Sequence, residues 1–122
     1  SAGHLGWAFP ASLGAKCGAP DRPVVCFTGD SGFWYHVGEI ETAVRWDLDT
    51  VTVVNNNSGG NQSKRGFDRV YGGVQTEKGA RDLWHFTDVN FAEVAEQIGA
   101  VGIRDEKPGD LRPALDRALA TA

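Results

Sequence analysis

Three observations predict an α/β fold, a doubly wound parallel sheet with flanking helices. Two short apolar runs rich in β-branched residues, 24–28 and 50–54, lack the in-out alternation of a half-exposed strand. An amphipathic stretch of crossover length lies between them, and helical apolar spacing recurs on either side. In such sheets ligands sit beyond the carboxyl ends of the strands.

Residues 5–18, rich in alanine and ended by Gly18, Pro20 and Pro23, read as a helix, with Pro10 tolerable only near its first turn. Residues 24–28 then form a strand covered on both faces, ending at Gly29-Asp30. From residue 33 to residue 46, Phe33, Val37, Ile40 and Val44 mark one stripe of an amphipathic helix, and Glu39, Glu41 and Arg45 lean toward the other faces. Residues 50–54 make the second buried strand, stopped by Asn55, Asn56 and Asn57 and by Gly59-Gly60. Residues 58–88 carry no sustained period, contain six glycines and hold Lys64, Arg65 and Arg69, so they read as a long functional or disordered loop. Asn90 and Glu93 resemble a capping box ahead of the stripe Phe91, Val94, Ala95 and Ile98, which Gly99 ends. A third strand is expected over 100–103. Leu111, Ala114, Leu115, Ala118 and Leu119 then give a final helix, with no repeat or linker anywhere in the chain.

At 122 residues the whole of 1–122 is expected to be one domain. A hydrophobic fraction of 41% and a net charge of −4 describe an ordinary soluble protein and argue against a nucleic-acid footprint. No apolar run reaches the roughly 20 residues of a membrane helix and no signal peptide opens the chain, so no membrane partner is expected and a cytoplasmic location is. Cys17 and Cys26 fit neither a zinc site nor a disulfide scaffold and read as reduced core thiols. Trp7, Trp34, Trp46 and Trp84 read as core or subunit interface. Glycine is frequent, 16 of 122 against a usual share of roughly 7%, and several glycines lie near the strand ends, where they serve turns or close approach to a ligand.

Asp30 and Asn57 lie at successive strand ends on one predicted edge. One carboxylate, an amide oxygen and a backbone carbonyl are hard ligands, few enough to suit Mg²⁺ with phosphate oxygens and water completing the shell. A plainer reading stands beside this one: Asp30 caps the following helix and the asparagines are turn residues.

Gly29-Asp30-Ser31, followed about two dozen residues later by Asn56-Asn57, resembles the diphosphate-binding signature of thiamine-diphosphate-dependent enzymes. The intervening residues 33–45 and the upstream Gly3-His4-Leu5-Gly6-Trp7-Ala8-Phe9-Pro10 resemble the acetolactate-synthase and pyruvate-decarboxylase branch, so the likeness covers most of residues 3–60. It implies the C-terminal pyrophosphate-binding domain of that family, present in part. It also implies that Asp30, Asn57 and the Gly59 carbonyl hold Mg²⁺. Ser31, Gly32, Gly60 and Asn61 would lie around the diphosphate of thiamine diphosphate, near the positive end of a helix starting at about Phe33. By the same resemblance the Gly3 carbonyl accepts a hydrogen bond from the aminopyrimidine, and Leu5 is the wedge that bends the cofactor so that its amino group meets the thiazolium carbon.

Ser31 replaces the second glycine of the signature, a tolerated change unless that position needs φ > 0. The family's activating glutamate lies in a pyrimidine-binding domain or subunit and matches no residue here, so no catalytic residue is assigned and the chain by itself is expected to be inactive. The stretch Ser63-Lys64-Arg65-Gly66-Phe67 lacks the tryptophan typical of acetolactate synthases after the paired asparagines. The resemblance thus implies a decarboxylase or carboligase, a lyase or transferase acting on a 2-oxo acid or related small molecule, in a homo-oligomer, dimer or tetramer. Acyl donor and acceptor stay open, as do the roles of His4 and of Lys64, Arg65 and Arg69. The alternative is a non-catalytic interaction or regulatory module derived from the same fold. A dinucleotide-binding unit is disfavoured because no Gly-x-Gly-x-x-Gly follows a strand.

Overall fold

Strands β1 (Val25–Gly29) and β2 (Val51–Asn55) pair in parallel in the computed structural model, with Val25 opposite Val51 and Gly29 opposite Asn55. The structure describes residues 3–74 and 76–121 and divides into two units, Ser1–Asn55 with Asn90–Ala122, and Asn56–Val89. The parallel pair and its flanking helices make the first unit α/β, the class that the β-branched runs predict.

Helix α1 (Ala8–Gly18) starts three residues later than its composition suggests. Leu5 and Gly6 form a turn instead, with Gly6 at φ +92°. Pro10 is then the third helical residue, where a missing N–H removes no helix bond. Phe9, Ser12 and Leu13 face inward, and the Ser12 hydroxyl donates to the Phe9 carbonyl at 2.7 Å.

The helix expected over 33–46 forms as two, α2 (Asp30–Trp34) and α3 (Glu39–Arg45). Between them the His36 N–H donates to Phe33 and the Glu39 N–H to His36, three-residue steps that tighten the backbone up to Gly38, the N-cap of α3. Phe33 and Ile40 keep their stripe and enter the core with Phe9, Leu13 and Cys26, Val37 packs against that core, and Val44 is exposed at 39%. The ring of Phe33 lies 5.1 Å from Phe9 and 5.5 Å from Phe91.

Strand β1 is not covered on both faces as its apolar run predicts. Cys26 and Thr28 are buried, but Val25 is 52% and Phe27 71% exposed. Among the described residues the sheet has two strands, and no strand forms over 100–103. There the chain folds back on α6 (Phe91–Ile98): the Ala100 N–H donates to Ala95 at 3.0 Å, and Gly102 lies directly against the Ala92 carbonyl. The predicted start and stop of α6 are both present, with Asn90 Oδ1 accepting from the Ala92 N–H and Gly99 left-handed at φ 101°. Helix α7 (Leu111–Thr121) buries Ala114 but leaves Leu111 and Leu119 exposed.

The second unit corrects the expectation of an irregular 58–88. It contains α4 (Asn61–Val70) and α5 (Glu77–Leu83). Neither helix buries a residue, so neither needs an apolar stripe. They rest on local devices: Lys64 with Asp68 and Lys78 with Asp82, each pair 2.7 Å apart and four residues along, and a Thr76 side chain that accepts from the Gly79 N–H at 3.0 Å. The tilted rings of Phe67 and Tyr71 add a contact at 4.6 Å.

Candidate functional site

Asp30 is the first residue of α2 and follows β1 directly, so the strand end and a helix start coincide there rather than at Phe33. It is 2% exposed, and a carboxylate so deeply buried must be matched by hydrogen bonds or a cation. Ser31 is helical and has no left-handed backbone; among the described non-glycine residues only Asp47 and Ser58 have positive φ. Serine therefore replaces glycine at that point without backbone strain.

Gly32 joins this turn to the start of the chain. A Cβ there would stand 3.0 Å from Thr28 Oγ1 and 3.7 Å from both Leu5 Cδ1 and the Gly6 nitrogen. Leu5 is thus at the Gly32 turn, half exposed at 51%, and Gly3 and His4 are exposed beside it. Thr28, a residue that sequence reasoning passed over, packs here with its hydroxyl donating to the Gly29 carbonyl at 3.3 Å. A threonine inside an apolar run carries no motif that would have flagged it.

Asn57, Gly59, Gly60 and Asn61 belong to the second unit. Asn56 organises their loop: its Oδ1 accepts from the Ser58 N–H at 3.0 Å and its Nδ2 donates to the Val89 carbonyl at 3.1 Å. That Asx turn supports Ser58 at φ 51°, and the Ser58 hydroxyl reaches Asp88 at 3.4 Å. Gly59 bridges His85 in antiparallel fashion, with the bonds made by its neighbours, Gly60 N–H to Trp84 and Phe86 N–H to Ser58, both 2.8 Å. In such a pair the central residue turns its own peptide groups away from the opposite segment. A Cβ on Gly59 would meet the Trp84 carbonyl at 2.9 Å and its ring at 3.0 Å, so only glycine fits. Trp84, Asp88 and Val89 act from 25 to 33 positions away, beyond the reach of local pattern. Gly60 is the N-cap of α4 and Asn61 its first residue.

The basic cluster separates. Lys64 pairs with Asp68 and lies 5.5 Å from the centroid of the Trp84 ring, whereas Arg65 and Arg69 are exposed. The expectation of two core thiols holds for Cys26 alone, since Cys17 is exposed. Burial pushes the Cys26 thiol up from its ordinary range, while a hydrogen bond with Ser12 works the other way. Trp7 and Trp46, 68% and 64% exposed, are not core residues.

Among the described residues no three His, Cys, Asp or Glu side chains cluster as a metal site. A cation held by one carboxylate, one amide and a carbonyl would form no such cluster. An open cleft of about 300 Å³ in the first unit is lined by Lys16, Arg22, Val24, Asp49, Val51 and Leu119. It lies at the amino ends of the strands, away from Asp30, and parallel sheets do not use that edge for ligands. No described helix is long and apolar enough to cross a membrane.

Residues 1–122 match the model of the thiamine pyrophosphate enzyme family, C-terminal TPP binding domain. The chain is 33% identical to the acetolactate synthase large subunit of Haemophilus influenzae over 119 residues, 98% of this chain and 20% of that protein. It is 34% identical to the sulfoacetaldehyde acetyltransferase of Alcaligenes xylosoxydans and 35% to the glyoxylate carboligase of Escherichia coli, in each case over 98% of this chain and 19% and 21% of theirs. A solved thiamine diphosphate-dependent 4-hydroxybenzoylformate decarboxylase of Rhodococcus jostii superposes with a TM-score of 0.79 at 27% identity, over 95% of this chain and 21% of that one. The chain spans about a fifth of the length of the curated relatives it matches. Match over the full length, with the Gly29-Asp30 turn ending a parallel strand and the Asn56–Gly60 turn following its neighbour, makes the chain a member of the thiamine pyrophosphate enzyme family, its C-terminal TPP-binding domain.

Proposed function

We propose that this chain binds Mg²⁺ and thiamine diphosphate as the cofactor-diphosphate part of a decarboxylase or carboligase acting on a 2-oxo acid or a related small molecule. Buried Asp30, placed directly after a strand whose last residue pairs with Asn55, is the observation that supports this reading best. Asp30, the Asn57 side chain and the Gly59 carbonyl hold the metal. Their hard oxygens are few, which suits a cation that keeps phosphate and water in its shell. Backbone amides of Ser31, Gly32 and Asn61 bind the diphosphate, and Gly60 lies beside it as the N-cap of α4 with its own N–H given to the Trp84 carbonyl; the helical backbone of Ser31 is compatible with that role. Gly3 offers its carbonyl to the aminopyrimidine, and half-exposed Leu5 supports the ring system from below. When bound, the cofactor supplies the nucleophilic carbon and the electron sink, while the protein supplies position and charge. The activating glutamate comes from a pyrimidine-binding domain or subunit, in a cytoplasmic dimer or tetramer.

Thiamine diphosphate titrated into the full-length protein with Mg²⁺ present tests the assignment. Asp30→Ala is expected to weaken binding by about 100-fold or more, and Asn57→Ala by about 10-fold, as loss of a charged and a neutral ligand require. Unchanged affinity in Asp30→Ala overturns it.

A further inference from the structure

The cations of α4 divide into two kinds. Lys64 is occupied within its own unit, 2.7 Å from Asp68 and over the Trp84 ring. Arg65 and Arg69 are exposed, and among the described residues neither has an ion-pair partner. Four positions apart on one helix, they share a face and stand one turn from each other, about 6 Å along the axis. Like charges at this spacing weaken a helix, and α4 also carries Gly66 in its interior and buries no residue. Arg69, in the last turn, suits the helix dipole, but its repulsion with Arg65 offsets that gain, so the pair adds little to folding. The patch also runs against the sign of the whole chain, which carries −4.

An oxyanion is the ligand that this arrangement fits. The guanidinium is a planar fork matched to two oxygens of a carboxylate, sulfonate or phosphate.

We propose that Arg65 and Arg69 receive an anionic group of the substrate, a carboxylate, sulfonate or phosphate remote from its reacting carbonyl. As a statement about substrate class this rests on the cofactor reading above, but the binding of the anion itself does not. Sulfoacetate, which carries a carboxylate and a sulfonate and no reacting carbonyl, is titrated calorimetrically into the full-length protein, with inorganic phosphate in a parallel arm. Arg65→Gln combined with Arg69→Gln is expected to weaken sulfoacetate binding by at least about 10-fold, the scale of one charge-assisted pair. The double Lys variant falls between, because charge remains without the fork. Lys64→Gln keeps the affinity within about 3-fold while lowering the thermal midpoint, since that side chain holds the helix. The Arg65/Arg69 double Gln variant keeps or raises the midpoint, which separates lost binding from lost folding. The ratio of sulfoacetate to phosphate affinity tells which oxyanion the pair prefers. Equal sulfoacetate affinity in the wild type and the double Gln variant, absence of millimolar binding to the wild type, or an equal loss in Lys64→Gln overturns the proposal. Thiamine diphosphate affinity is measured on the same variants and stays unchanged in the double Gln variant. Failure of the cofactor reading registers instead in Asp30→Ala.

Discussion

Phe33 and Phe67 each sit on a helix that opens beside proposed ligands, and they live in different surroundings. Phe33 is 4% exposed and meets two other aromatic rings inside a core shared by α1, β1, α3 and α6. Phe67 is half buried, touches Tyr71 and lies where a Cβ on Gly79 would be 3.2 Å from its ring, within helices that bury nothing fully. The first unit is thus held by burial, and the second by caps, i,i+4 ion pairs and a polar loop clamped on residues 84–89. A unit of the second kind opens at low cost, as ligand-binding segments do. The proposed ligands are drawn from both kinds, one carboxylate on the packed unit and an amide and a carbonyl on the locally braced one.

The widest separation between the two regimes comes from truncating the two rings. Phe33→Ala should cost about 3–5 kcal/mol in denaturant unfolding, and Phe67→Ala about 1 kcal/mol. Equal costs would abolish the distinction. Gly59→Ala should cost about 1–3 kcal/mol through overpacking on Trp84. Hydrogen exchange should show it as faster exchange at the Gly60 and Phe86 amides, with the amides of β1 and β2 unaffected. A global loss of protection would mean that the clamp supports more than its own unit.

Buried Cys26 provides a pH test of the first unit. Its thiol is raised in the folded state, so above the ordinary cysteine value of about 8.5 the native chain holds a proton that the unfolded chain releases. Stability is whole below that pH and falls as pH rises toward the raised native value. Urea midpoints at pH 8 and 10 should therefore drop more in the wild type than in Cys26→Ala, and Cys17 should alkylate first. The smallest effect is expected at Asp82→Asn in the second unit. Its pairs with Lys78 and with Arg81 are both exposed, and thermal unfolding should register a loss of no more than about 0.5 kcal/mol.

Where a segment's neighbours are its own helix or strand, its residues were readable in advance. The strands came within one residue of 24–28 and 50–54, and Asn90 and Gly99 marked both ends of α6. Periodicity misread the places where no face is buried. Helices α4 and α5 bury no residue fully, Phe67 and Val70 of α4 are too few to mark a sustained period, and ion pairs and a threonine cap are weak signals in a sequence. The run at 100–103 has the composition of a strand but leans on α6 through Gly102. Stripe spacing alone could not reveal the break at 35–38, since Phe33 and Ile40 stay on one side whether or not the helix is continuous.

Of the candidate site, residue types and spacing specified the family likeness and the hard-oxygen character of Asp30, Asn57 and Gly59, because a signature is a property of order along the chain. The tertiary structure alone decided that Asp30 is buried at a helix start, that Asn56 is a brace for the Ser58 turn, that Gly59 is required by Trp84, and that Lys64 is occupied while Arg65 and Arg69 are not. Each of these depends on what stands beside a residue once the chain has folded, and partners as distant as Trp84 for Gly59 and Lys64, or Val89 for Asn56, leave no trace in local order.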